Sequence, residues 1–118
     1  MDDSTLTALK GSIAKWEAIV AGTDIDRGPD NCSLCWMFWK NDCIGCPVAE
    51  STGETCCEGT PYAHEWYRLA AKVPCAGAPW RQSSSVLGKD GQPIPAAVRA
   101  AQAELDFLRG LLPMEEGR

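Results

Sequence analysis

Four of the seven cysteines in this chain form two tight pairs, Cys32-Ser-Leu-Cys35 and Cys43-Ile-Gly-Cys46, and Cys56 and Cys57 follow shortly after. A C-x-x-C turn presents two sulfurs to one ion, and two such turns make a closed tetrahedral site of four thiolates. The segment is too short to bury a core of its own. Metal binding is therefore expected to supply much of its folding free energy, on the order of 10 kcal/mol for structural zinc. The seven residues between Cys35 and Cys43 are a short spacer for paired knuckles. They fit if residues 36–40 form a helical turn, or if Cys57 replaces one of the outer cysteines. The candidate ligands are Cys32, Cys35, Cys43, Cys46 and Cys57.

Zinc ranks first as the occupant and an iron–sulfur cluster second, ahead of a metal-free segment that includes disulfides. Cys46-Pro47 matches the C-P feature of ferredoxin ligands, but the dense cysteine run of those proteins is absent. Cys56 and Cys57 are adjacent and point in different directions, so they do not both reach one ion. Cys75 lies far along the chain and reads as a small buried apolar residue.

The redox reading depends on compartment. Met1-Asp2-Asp3-Ser4-Thr5 is acidic and polar and carries no leader pattern, and no stretch approaches the roughly 20 apolar residues of a membrane span. A cytoplasmic setting is expected, where an odd number of clustered cysteines reads as metal ligation before disulfides. The net charge is −5, which repels a phosphate backbone at long range. Residues 1–60 hold four basic and ten acidic side chains, whereas 61–93 hold four basic and two acidic. Arg68, Lys72, Arg81 and Lys89 are thus the residues for a nucleic-acid-binding zinc module, the first alternative function. Scattered solvated charge is the blander account of them.

Around the cysteines the chain reads as one mainly α-helical domain over 1–118. Leu6, Leu9, Ile13, Trp16 and Val20 recur at helical spacing and predict a helix over 4–21, capped by Asp3 or Ser4 and stopped near Gly22. Val98, Ala101, Leu105, Leu108 and Leu112 repeat that pattern over 95–112, from Pro95 to Pro113. The two stripes predict an antiparallel helix pair, or matching faces in a homodimer. Gly59-Thr60-Pro61 signals a short third helix over 60–73, with Thr60 as cap and Tyr62, Trp66, Leu69 and Val73 as its buried face. The metal-binding knuckle occupies 30–58. Residues 74–93, rich in proline, glycine and serine, read as a long irregular loop, with disorder at the serine tip ahead of function.

No phosphate loop, nucleophile elbow or carboxylate pair appears, so a non-enzyme is expected. Cys32/Cys35 lacks the βαβ context of a thioredoxin-like pair, although an iron–sulfur or redox protein stays open as a second alternative. His64, the only histidine, reads as a half-exposed structural residue on the third helix before a zinc ligand or base. Glu50, Glu54 and Glu58 are evenly spaced, but Ser51-Thr52-Gly53 among them predicts a loop. Trp36, Phe38 and Trp39 read first as cover for the metal site. They read next as a protein-binding surface, given the weight of tryptophan in interface hot spots. Stacking on single-stranded nucleic acid comes third, because such modules pair aromatics with basic grooves.

Lys15-Trp16-Glu17, Cys32-Ser-Leu-Cys35, Asp42-Cys43-Ile-Gly-Cys46-Pro47-Val48, Thr52-Gly53, Cys57-Glu-Gly59-Thr60-Pro61-Tyr62 and Glu104-Leu-Asp-Phe107-Leu108-Arg-Gly-Leu111-Leu112-Pro113 together resemble a family of small cysteine-rich proteins of tailed phages and prophages. The resemblance covers most of the chain outside 74–93. It marks Cys32, Cys35, Cys43, Cys46 and Cys57 as pattern cysteines and leaves out Cys56 and Cys75. It implies a phage accessory protein in bacterial cytoplasm and carries no settled activity. The expectation is an acidic, zinc-stabilised protein that binds and modulates a host protein, with an anti-CRISPR-type inhibitor as the narrower case. Its expected partner surface is Trp36, Phe38, Trp39, Glu50, Glu54 and Glu58.

Overall fold

Helix α1 runs from Asp3 to Val20 and is the element on which the rest is assembled. The computed structural model describes residues 1–26, 32–38, 43–54, 59–62, 66, 85–88 and 90–113. Asp2 precedes α1 in extended conformation, and its Oδ1 accepts the Thr5 N–H at 2.7 Å. The cap is thus Asp2, one residue earlier than expected, because only from there does a carboxylate reach a free amide of the first turn. At the other end Gly22 takes φ +80°. Its N–H bonds the Ile19 carbonyl, and the Thr23 N–H bonds the Ala18 carbonyl. This paired closure needs a left-handed residue, which is why glycine stands there.

The buried face of α1 is wider than the expected stripe. Leu9, Ile13 and Trp16 are buried as foreseen, and so are Ala8, Ser12, Lys15 and Ile19. Two neighbours explain the width. One is α2, Ser33–Phe38, and the other is α4, Pro95–Arg109; both pack on α1. Helix α3 spans Pro47–Thr52, starting on Pro47 and ending at Gly53 with φ +76°. Glu50 therefore lies on a helix where a loop was expected. The serine and threonine are tolerated in so short an element, where Thr52 Oγ1 bonds back to the Val48 carbonyl at 3.1 Å.

Ala97, Ala100, Ala101, Leu105 and Leu108 line the inner face of α4, and its small alanines give room for close approach to α1. Trp16 fills the centre of the core, edge-on to Tyr62 and Trp66 with ring centroids 5.7 and 5.3 Å away. Thr60 is buried, and Pro61, Tyr62 and Trp66 are helical. Leu69 and Val73 of the expected third helix lie outside the described residues. Part of the expected 74–93 loop is ordered into a tight hairpin. Leu87 pairs with Pro93, the Gly88 N–H bonds the Gln92 carbonyl, and the Ile94 N–H bonds the Val86 carbonyl. Val86 is a core residue, so burial of its side chain anchors a stretch whose composition signals only a loop. Among the described residues there is no strand, only isolated bridge residues, Asp26 being another.

Candidate metal centre

The cysteine segment is not an independent knuckle, since it contributes Leu34, Cys46 and Val48 to the main core. Contact with α1 is intimate at Gly11, where an added Cβ would collide with Ser33 Oγ and lie 3.1 Å from Ser33 Cβ. Beside it, Ser12 Oγ accepts the Leu34 N–H at 3.3 Å and lies 3.4 Å from Cys32 Sγ. Either the hydroxyl or the thiol can be the donor in that contact.

Cys32 immediately precedes α2, and Cys35 follows on the same turn. Hydrogen bonding from the Cys35 thiol is the main cause that lowers the Cys32 thiol to about 5. Burial opposes it, while the Lys15 ammonium, Ser12 and the Cys35 N–H add to it. The first C-x-x-C therefore holds sulfur as thiolate, the form in which cysteine ligates metals. The spacer begins helical through Phe38, and the remainder of the turn expected over 36–40 lies outside the described residues.

The second pair is built differently. Cys43 has φ +64° and Gly45 φ +89°, and the Cys46 N–H closes the turn on the Cys43 carbonyl at 3.0 Å. A Cβ on Gly45 would meet the Phe38 ring at 3.3 Å, so glycine is needed there for both space and conformation. Cys46 is buried, and burial pushes its thiol up. The Ala49 and Val48 amides face its sulfur and offset part of that, without closing a capping hydrogen bond. Cys43 and Cys32 add smaller upward contributions by like charge. Pro47 next to Cys46 is accounted for by its place at the start of α3, with no cluster ligation required.

The donor set of four soft sulfurs on two turns suits zinc chemically. It is not drawn together at ligating distance. Among the described residues no three His, Cys, Asp or Glu side chains are grouped as a metal ion requires. The four described cysteines are free thiols, three half-buried and Cys46 buried. Cys57, the fifth candidate, lies outside the described residues, as do Cys56, His64 and Cys75.

A buried polar cluster that sequence reading missed lies behind Cys32. Lys15 Nζ and Asp26 Oδ1 are 2.8 Å apart, and Trp66 Nε1 donates to Asp26 Oδ2 at 2.9 Å. Glu104 on α4 accepts the Tyr62 N–H at 3.0 Å, and burial raises its carboxyl to about 8. Lys15 and Glu104 fall at helical spacings that place them beside the apolar stripes of their helices, which was the available signal, whereas Asp26 lies beyond α1 and carries none. Lys15 and Glu104 were passed over because charged side chains are ordinarily solvated.

Of the expected partner surface, Trp36 is 72% exposed, Phe38 half-buried, and Glu50 and Glu54 exposed. Trp39 and Glu58 lie outside the described residues, as do Arg68, Lys72, Arg81 and Lys89 of the nucleic-acid alternative. Met37 and Ile44 are exposed too. No described helix is long and apolar enough to cross a membrane. Comparison with protein-family models, with curated proteins and with solved structures gave no match.

Proposed function

We propose that this chain is a non-enzymatic interaction protein in which a zinc-stapled cysteine segment, docked on α1, offers an apolar surface to a protein partner. The observation that carries the reading is the contrast among aromatic residues. Trp16 and Trp66 are buried, whereas Trp36 is largely exposed, with Met37 beside it and Ile44, 76% exposed, in the second cysteine turn. Large apolar side chains left in solvent are the kind of residue that anchors protein interfaces, tryptophan above all. The acidic charge of the chain disfavours nucleic acid in that role. The phage resemblance supplies the class of partner, a bacterial host protein, with a defence effector as the narrower case.

Zinc would be held by Cys32, Cys35, Cys43 and Cys46, with Cys57 the substitute for an outer ligand. Its part would be structural, fixing the two turns that carry Trp36 and Ile44. The test is capture of host proteins on the immobilised chain, alongside the Trp36→Ala and Ile44→Ser variants. A partner retained by the parent chain and lost by both variants supports the reading. A partner held equally by all three, or none at all, refutes it. Metal analysis of the purified protein tests the staple separately: about one zinc per chain, lost in Cys43→Ser, is expected from the four-sulfur set.

A further inference from the structure

We propose that the groove between the start of α1 and the second cysteine turn docks a lysine- or arginine-bearing aliphatic segment of a protein partner, a site that rests on the interaction role above and gives the partner its chemistry. The groove has a volume of about 320 Å³ and is lined by Met1, Asp2, Thr5, Gly45, Pro47 and Glu50. That stands at the lower end of the roughly 300–1,000 Å³ of ligand sites, room for one or two side chains. Its walls are held by backbone. The Thr5 N–H fixes the Asp2 carboxylate at 2.7 Å, Gly45 presents bare backbone in a left-handed turn, and Pro47 is buried at the start of α3.

Charge decides what enters. Asp2 and Glu50 line the groove, and no lysine or arginine does. Hydrogen bonding to Thr5 holds the Asp2 carboxyl below its ordinary range, and the Met1 amino group is the weakest influence on it. Among the described residues the Glu50 carboxylate has no hydrogen bond or ion pair, so its charge is available to a partner. Such a groove repels phosphate, acidic peptides and anionic lipid surfaces. Nor does it suit a bare metal ion, since no three ligating side chains are grouped among the described residues. A long basic side chain fits both halves of it, laying its apolar stem along Met1 and Pro47 and bringing its cationic head to the carboxylates.

The surroundings are apolar. Met1 is 56% exposed, and Ile44, next to Gly45 at the edge of the groove, is 76% exposed. The Phe38 ring lies against Gly45 on the other side and ends α2, the helix that carries Trp36 and Met37. Aliphatic residues flanking the basic one would cover Met1 and Ile44. Most of the affinity comes from that cover, because exposed ion pairs contribute little. The carboxylates set orientation, association rate and salt dependence.

The experiment selects binders from a random library of short displayed peptides on the immobilised full chain. The selected peptides are then measured on the parent and on Glu50→Lys, Asp2→Asn, Glu54→Lys and Trp36→Ala. Glu50 is exposed and asparagine still caps a helix, so these changes leave the fold intact, which melting curves check. Lysine or arginine flanked by aliphatic residues should be enriched. Affinity should fall roughly three- to tenfold in Glu50→Lys, less in Asp2→Asn, and weaken with added salt. Glu54→Lys, the same charge change outside the groove, should have a smaller effect. Amide NMR shifts on adding a selected peptide should centre on Thr5, Gly45 and Glu50. No enriched peptide, no basic excess among those enriched, equal losses in Glu50→Lys and Glu54→Lys, or shifts centred elsewhere would each overturn the groove. Peptides that need Trp36 and ignore Glu50 overturn the groove and leave the broader interaction reading standing, which host-protein capture decides separately.

Discussion

Lys15 Nζ lies 2.8 Å from Asp26 Oδ1, and both side chains are almost wholly removed from solvent. The pair joins the middle of α1 to the chain beyond it, and Asp26 also receives the Trp66 indole N–H. Removing one partner strands a buried charge. Lys15→Met or Asp26→Asn alone is therefore expected to destabilise by about 3–5 kcal/mol. The double variant removes both charges and keeps an oxygen for Trp66, so it should recover much of that loss. Urea unfolding of the four proteins measures it; a double variant as unstable as the sum of the singles would mean that the two residues are not coupled.

Glu104 and Cys32 should give stability profiles of opposite slope. The Glu104 carboxyl is raised, chiefly by burial, from 4.5 to about 8. Its contribution is full below the unfolded value near 4.5 and is lost as pH rises through about 8. Cys32 is lowered from 9.0 to about 5, chiefly by the Cys35 hydrogen bond. Its contribution is complete above 9 and is lost as pH falls through about 5. Between pH 5 and 8 the two slopes oppose, each at most about 1.4 kcal/mol per pH unit. Urea midpoints in chelator should thus vary little with pH for the parent, rise with pH for Glu104→Gln, and fall with pH for Cys32→Ser. Parallel profiles for all three would show that neither group titrates as its surroundings dictate.

What the sequence showed of this fold follows from how strongly each signal is tied to a period or a special backbone angle. The stripes of α1 and α4 were legible because Leu9, Ile13, Trp16, Leu105 and Leu108 answer to one helical repeat. Pro95 and Gly22 marked their ends correctly. Helix α3 was missed although Pro47 and Gly53 bracket it, because Ser51 and Thr52 carry weak propensity and six residues are too few for a period. The Ser12–Cys32 contact spans twenty residues of chain, and no local pattern records which helix a cysteine segment will dock on. Val86 was unreadable for the same reason: its burial is decided by the core it joins, not by its own polar neighbours.

Gly11 is the point where that docking is most exposed to mutation. Alanine there adds helix propensity worth about 1 kcal/mol, yet its Cβ would overlap Ser33 Oγ. Overpacking typically costs about 1–3 kcal/mol, so Gly11→Ala should be neutral to destabilising by up to about 2 kcal/mol in thermal unfolding. Ser33→Gly removes both conflicting atoms, and adding it to Gly11→Ala should restore the alanine's benefit. A stabilised single variant would mean that α2 rides clear of α1.

Trp36 separates binding from folding more cleanly than any other residue. It is 72% exposed, so Trp36→Ala should change unfolding free energy by about 0.5 kcal/mol or less, as surface substitutions do. Trp16, 2% exposed and packed edge-on against Tyr62 and Trp66, should instead cost about 3–5 kcal/mol when cut to alanine. If Trp36 is an interface anchor, its removal should weaken partner capture by at least about 2 kcal/mol, roughly thirtyfold, with the melting curve unmoved. The two measurements together decide its role. A large fall in stability would make Trp36 a core residue, and an unchanged affinity with an unchanged melt would make its exposure incidental.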